Sequence, residues 1–240
     1  MVLKLYGSPV STCTKRVATV LIELNVPFEL VPIDLRKGEQ KTPQFLEKQP
    51  FGKVPYIDDD GFILYESRAI SRYLATKYSG QGTQLIPKDL QAWAKFEQAA
   101  SVEICNFDPY ASGVVIEKYF KPIFGQTPDE AQAKDLTEKL NANLDTYDLI
   151  LSKQKFLGGD VSRELNVLAS KPLPQYIKLG IHSSRPFPSP LRRAVASVWC
   201  ECLTGEAKCQ QVVRSYLFSP ILASCQRRGE KHRLINWGEQ

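Results

Sequence analysis

No run in the 240-residue chain is long and apolar enough to read as a membrane-spanning helix. The stretch "MVLKLYGSPVSTCTKRV" lacks the continuous apolar core of a signal peptide, so the expected compartment is the cytoplasm and no membrane partner is expected. Without an export signal, the six cysteines do not read as a secreted disulfide framework. "CECLTGEAKC" lacks paired C-x-x-C knuckles, and no metal site is expected. Internal repeats are missing as well. Basic residues gather around Arg192-Arg193 and "QRRGEKHR", but no DNA-binding motif or ordered aromatic platform accompanies them. Nucleic acid is therefore not an expected partner. What is present is an ordinary globular composition, 43% apolar and 24% charged, sufficient for one large domain or two small ones.

Aspartate is absent from residues 161–240, which hold 12 Lys+Arg and 5 Glu, a net charge of +7. The preceding 160 residues carry 19 basic and 21 acidic side chains, a net charge of −2. Cysteines divide in the same way. Cys13 and Cys105 lie in the balanced part, and Cys200, Cys202, Cys209 and Cys225 lie in the basic part.

Periodicity organises the front of the chain. "LKLYG" alternates like a strand and ends at Gly7-Ser8-Pro9. From Thr12 the spacing becomes helical, with Val17, Val20, Leu21 and Leu24 on one side. "VPFELVPID" predicts a second strand, and "KTPQFLEKQP" a short helix starting near Thr42-Pro43. "VPYIDDDGFILY" predicts a hairpin turning at Asp-Gly. Ser67 is expected to cap a helix with Ala69, Ile70, Tyr73, Leu74 and Tyr78 on its inner face. "SGQGTQLIPKD" reads as a polar linker. Two helical stretches follow, one presenting Trp93, Phe96, Ala100, Ile104 and Phe107, the other Leu136, Leu140, Leu144 and Tyr147.

Three local features carry chemistry. Ser11 sits where the first strand hands over to the first helix. It reads either as a helix cap or as a hydroxyl that, with the helix N-terminus, faces a bound anion. Such a pair would favour the thiolate of a thiol, whose ordinary pKa is ~8.5. In "FGKVPY", Pro55 reads either as an edge or turn residue, or as a cis Val54-Pro55 bond presenting the Val54 backbone to an extended peptide. In "YESRAI", Glu66 and Ser67 read either as capping residues or as a carboxylate site at a helix mouth, with Glu66 pairing an amine. A ligand with an amine, a carboxylate, a peptide backbone and a thiol is a small thiol peptide.

With those features, "SPVSTCTKRV", "QKTPQFLEKQPFGKVP" and "LYESRAISRYL" resemble the glutathione transferases, closest to the phi-like class with a catalytic serine. The resemblance continues more loosely through "AKFEQAASVEICNFDPYASGVVIEKYFKPIFG" to "KFLGGD", covering about two thirds of the chain. It implies an α+β architecture with a thioredoxin-like α/β domain over residues 1–80, a linker over 81–90 and an all-α domain from 91, incomplete after about residue 160. It also implies that Ser11 stabilises the glutathione thiolate and that Gln40 and Lys41 approach the glycyl carboxylate. Lys53 and Val54 would hold the middle of the tripeptide, and Glu66 and Ser67 the γ-glutamyl end. Glutathione is then a co-substrate, with no other cofactor, and the partners are a small electrophile and, as often in the family, a second copy of the chain. Two other readings stay open: a non-catalytic glutathione-binding or regulatory protein of the same fold, and a thiol transferase built on Cys13.

After "FLGGD" the family usually supplies an Ala-Asp-Leu and a buried helix. Here Pro172, Pro174, Pro186, Pro188 and Pro190 interrupt any long helix. Residues 161–240 read as a divergent or disordered basic extension, or as intronic or frameshifted sequence beginning at Val161. A one-base shift of the codons for residues 207–226 permits a segment resembling the family's closing helix.

Overall fold

The computed structural model describes residues 2–154 and 157–158. The expectations for Asp160, Val161 and the basic tail lie outside the described residues.

Strand β1 (Leu3–Gly7) buries Leu3 and Leu5 and exposes Lys4. Its last residue has to be small. A Cβ on Gly7 would lie 2.5 Å from Thr14 Cγ2, so only a bare backbone lets the following helix start this close to the strand. That helix, α1 (Thr12–Glu23), is capped by Ser11 in extended conformation, φ −73° and ψ 129°. Val17, Val20 and Leu21 fill the core from its inner face as expected, and Leu24 follows at its end.

Strand β2 (Phe28–Pro32) runs parallel to β1, as the intervening helix requires. A 3-10 turn at Glu39–Lys41 leads into α2 (Pro43–Lys48), with Pro43 at the first helical position. Strands β3 (Tyr56–Asp59) and β4 (Phe62–Tyr65) form the expected antiparallel hairpin, and β3 also pairs antiparallel with β1. Both turn residues, Asp60 and Gly61, take positive φ (57° and 89°), which matches the right-handed twist of the strands they join. The sheet order is β2-β1-β3-β4.

Helix α3 (Ser67–Lys77) packs beside α1, burying Ile70 and Leu74 against the cluster of Leu5, Val20 and Ile57. Burial of a leucine of this kind contributes roughly 1.5–3 kcal/mol. Two expectations are corrected here. Ala69 is exposed, and Ser71 and Ala75 occupy the buried face, small side chains where α1 comes close. The N-cap is Glu66, so Ser67 is the first residue inside the helix and its hydroxyl is used elsewhere.

The segment expected to be a polar linker is docked rather than free. Leu85 is buried in the same core as Leu21 and Leu74, and the Thr83 N–H donates to the Glu23 carbonyl at 2.9 Å. Helix α4 (Leu90–Val102) is capped by Asp89, and α7 (Glu130–Leu151) by Asp129. Between them lie a π-helical turn (Glu103–Phe107), α5 (Asp108–Val115), a second π turn (Ile116–Phe120) and the single turn α6 (Lys121–Ile123). Periodicity had not revealed α5, whose Ala111, Val114 and Val115 pack with Leu136, Leu140 and Leu144 of α7.

The apolar face expected for α4 is also corrected. Phe96, Ala99 and Ala100 are buried, but Trp93 and Ile104 are exposed, and the buried residue of the first π turn is Glu103. The wider turn rotates the face that follows it, so an unbroken 3.6-residue pattern no longer maps onto one side. The chain thus has a thioredoxin-like α/β layer followed by a helical region.

Candidate functional site

Sheet register gathers the chemistry at one end. Tyr6 of β1 stands opposite Tyr56 of β3, and Tyr56 opposite Tyr65 of β4. On the other side Tyr6 pairs with Val31 of β2. From this last rung β1 leaves toward Ser11, β2 toward Gln40 and Lys41, and β4 toward Glu66 and Ser67, while β3 is entered from Lys53 and Val54. All seven expected residues therefore belong to segments that meet the sheet at the same end. The rung itself is aromatic, with Tyr6 and Tyr56 stacked at 4.4 Å between ring centroids. Burial, reinforced by Tyr6 and Asp58, pushes the Tyr56 phenol up to about 12, so it stays protonated.

Ser11 is buried, and its Oγ accepts the Thr14 N–H at 3.3 Å. The capping reading is thus correct. It leaves the hydroxyl proton uncommitted among the described residues, at the positive end of a 12-residue helix. A hydroxyl that accepts from its own helix and still carries a proton has that proton to offer to an acceptor.

Ser67 repeats this arrangement from a different donor. Arg16 Nη1 donates to Ser67 Oγ at 2.7 Å, tying the first turns of α1 to the start of α3. The Arg16 side chain is fully buried, and burial lowers its pKa, with Cys13 and Glu103 opposing. Its Nη1 also lies 3.9 Å from Cys13 Sγ. Glu103 Oε1 is 3.8 Å from Arg16 Nη2 but is held more closely by Arg68, whose Nε and Nη2 reach the two carboxylate oxygens at 2.8–3.0 Å. Arg68 also donates to Asp108 at 2.9 Å. Next to Ser67, Glu66 holds a positive φ of 70°, a conformation that costs a residue with a Cβ roughly 1–3 kcal/mol, and its side chain is exposed.

The remaining residues form a second group. Lys41 Nζ donates to the Phe51 carbonyl at 3.3 Å, and the Lys53 N–H donates to Gln49 Oε1 at 3.3 Å. Gln40 Oε1 is buried with no hydrogen-bond partner among the described residues. Gly52 makes this packing possible: its φ is +58°, and a Cβ there would lie 2.6 Å from Lys41 Nζ and 2.9 Å from the Gln40 carbonyl. The Val54-Pro55 bond is cis.

Sequence reasoning missed Arg16, Arg68 and Glu103. A signal existed for the first, because Arg16 lies four residues before Val20, on the face that the apolar residues define. Among the described residues no cluster of His, Cys, Asp or Glu is placed to hold a metal, and no helix is long and apolar enough to cross a membrane.

The family described as glutathione S-transferase, N-terminal domain, matches residues 5–82. A glutathione S-transferase of Arabidopsis thaliana is 50% identical over 161 residues, covering 65% of this chain and 73% of the relative. The crystal structure of a glutathione transferase from Populus trichocarpa superposes with a TM-score of 0.75 at 36% identity, covering 90% of this chain and 99% of that one. A maize glutathione S-transferase I in complex with an atrazine glutathione conjugate gives a TM-score of 0.71 at 28% identity, covering 91% and 100%. With its aligned strand ends, its Ser11 cap and its Glu66-Ser67 helix start, the chain belongs to the glutathione S-transferase family, beside its phi-class members.

Proposed function

We propose that this chain binds glutathione at one end of the sheet and joins it, through its sulfur, to small electrophiles. Ser11 donates its hydroxyl hydrogen to the thiolate, Lys53 and Val54 hold the middle of the tripeptide, and Gln40 and Lys41 meet the glycyl carboxylate. Glu66 receives the γ-glutamyl amine, and the Ser67 hydroxyl with the α3 N-terminus receives the γ-glutamyl carboxylate. The observation that carries this reading is the shared rung Val31–Tyr6–Tyr56–Tyr65, because it brings all these segments to one end of the sheet.

A free thiol of pKa ~8.5 is only about 3% ionised at pH 7. A hydroxyl donor at a helix N-terminus stabilises the thiolate and raises that fraction, while the displaced proton leaves to solvent. The thiolate then attacks the electrophilic carbon, forming a carbon–sulfur bond as the bond to the leaving group breaks and that group, a halide in an aryl halide, departs with the electron pair, without a covalent enzyme intermediate. Glutathione is a co-substrate, and the chemistry requires no further cofactor or metal. The maize relative that holds an atrazine conjugate supports an organic electrophile as the second substrate. A detoxifying role in the cytoplasm and assembly as a homodimer belong to the same reading. The test is conjugation of a generic aryl halide by the full-length chain, set beside glutathione affinity from calorimetry. Turnover that saturates with glutathione is expected. Binding without turnover would make the chain a glutathione-binding protein instead.

A further inference from the structure

We infer that Arg16 is a positioning residue for the γ-glutamyl carboxylate, acting through the Ser67 hydroxyl; the inference rests on the glutathione reading above. A guanidinium has donors and no acceptor. When Arg16 Nη1 donates to Ser67 Oγ at 2.7 Å, the Ser67 proton cannot be returned to Arg16 and has to point elsewhere. Among the described residues it has no acceptor. The Ser67 carbonyl is also engaged, accepting the Ser71 hydroxyl at 2.7 Å, which fixes the backbone that carries the hydroxyl. Ser67 is thereby set as a donor at the start of α3, beside the unpaired N–H groups of the first helical turn.

The Arg16 guanidinium beneath it has no close ion pair of its own, Glu103 lying 3.8 Å away. Arg16 Nε and Nη2 are buried without hydrogen-bond partners, and Glu103, the nearest carboxylate, is engaged by Arg68 through both oxygens. A buried cation whose counter-ion is shared favours an anion on the open side of Ser67. A simple tie between α1 and α3 would need neither the charge nor the donor polarity. Arg16 would then affect stability alone and be indifferent to the ligand's carboxylate.

The two roles separate in steady-state kinetics on the full-length chain. The variants are Arg16→Gln, Arg16→Lys and Ser67→Ala. The ligands are glutathione and an analogue whose γ-glutamyl α-carboxylate is converted to a neutral amide. Arg16→Gln should raise KM for glutathione about tenfold while kcat stays within about twofold, as expected for binding remote from the reacting sulfur. Its KM for the amide should stay at the wild-type value. Arg16→Lys, which keeps the charge, should fall between. Combining Arg16→Gln with Ser67→Ala should cost less than the two single losses together. Equal losses on both ligands, a fall in kcat without a change in KM, or full additivity with Ser67→Ala would overturn the inference. Should the Arg16 variants not melt cooperatively, Ser67→Ala decides: its KM penalty has to be confined to glutathione, and an equal penalty on the amide overturns the inference. A wild-type chain that neither binds nor conjugates glutathione would instead overturn the functional reading itself.

Discussion

On the proposed reading, Ser11 performs two tasks with two different parts of one hydroxyl, and substitution can separate them. The oxygen lone pair accepts the Thr14 N–H at 3.3 Å, a long capping bond, and the hydrogen remains for the glutathione sulfur. Removing the cap by Ser11→Ala costs about 1 kcal/mol, whereas Ser11→Gly costs only a few tenths, because glycine is itself tolerated at an N-cap. In a protein of this size the alanine loss is a fall of roughly 2–4 °C in melting temperature. The donor to a charged sulfur is worth about 1.5–3 kcal/mol, or roughly 10–150-fold in kcat/KM, and it is lost equally in both variants. Alanine and glycine should therefore differ in stability and agree in activity. Ser11→Thr, which keeps both functions, should retain most of each. The assay is aryl halide conjugation across pH 6–9 beside thermal melts followed by circular dichroism. In both inactive variants the apparent pKa of the kcat/KM profile should climb toward the ~8.5 of an ordinary thiol. If Ser11→Gly keeps wild-type kcat/KM, or if Cys13→Ser collapses the activity instead, the assignment of the donor is wrong.

Three further substitutions probe the supports of the site. Gly52→Ala places a Cβ 2.6 Å from Lys41 Nζ at a φ of +58°, so it should lose about 1–2 kcal/mol in denaturant unfolding and raise KM for glutathione. Gly7→Ala sets a Cβ 2.5 Å from Thr14 and should destabilise by roughly 1–3 kcal/mol. Adding Thr14→Ala should restore much of that loss in the same urea titration. Asp59 is nearly buried, which opposes its ionisation, but hydrogen bonds from Lys77 and Tyr73 outweigh burial and lower its pKa. A carboxylate with a lowered folded pKa adds stability above its unfolded value of ~3.9 and loses it as pH falls through the folded value. Asp59→Asn should therefore be less stable than wild type by about 1 kcal/mol at pH 7, with Lys77 partly exposed, and the gap should close in acid unfolding below pH 4.

The α/β layer was legible because each of its elements obeys a single period. Leu3 and Leu5 alternate, Val17, Val20 and Leu21 repeat helically, and Asp60-Gly61 is a turn that the backbone demands. Legibility failed where the period breaks. The π turns at Glu103–Phe107 and Ile116–Phe120 each move the inner face of the helix. Ile104 therefore lies exposed, and a carboxylate, Glu103, is buried where apolar spacing called for Ile104; Trp93 is exposed as well, near the start of α4 and ahead of either π turn. The residues proposed to face the ligand could be named, since Ser11, Glu66 and Ser67 fall at helix starts. The layer beneath them could not. Arg16 and Glu103 are charged residues in the interior, and only tertiary contact shows that Ser67, which resembled a cap, is instead held by a guanidinium.

The occupied lone pair on Ser11 also bears on how a catalytic cycle ends. With one of its two lone pairs taken by the Thr14 N–H, the Ser11 hydroxyl offers its proton, and that donation is rewarded most by an acceptor with electron density to share. A thiolate supplies that, and a thioether, the sulfur of the finished conjugate, does so only weakly. Formation of the carbon–sulfur bond therefore removes the grip that captured the sulfur, while the contacts to the two ends of the tripeptide are unchanged. The site would discriminate between glutathione and its own product at a single atom, and release would be favoured by the same step that makes the product.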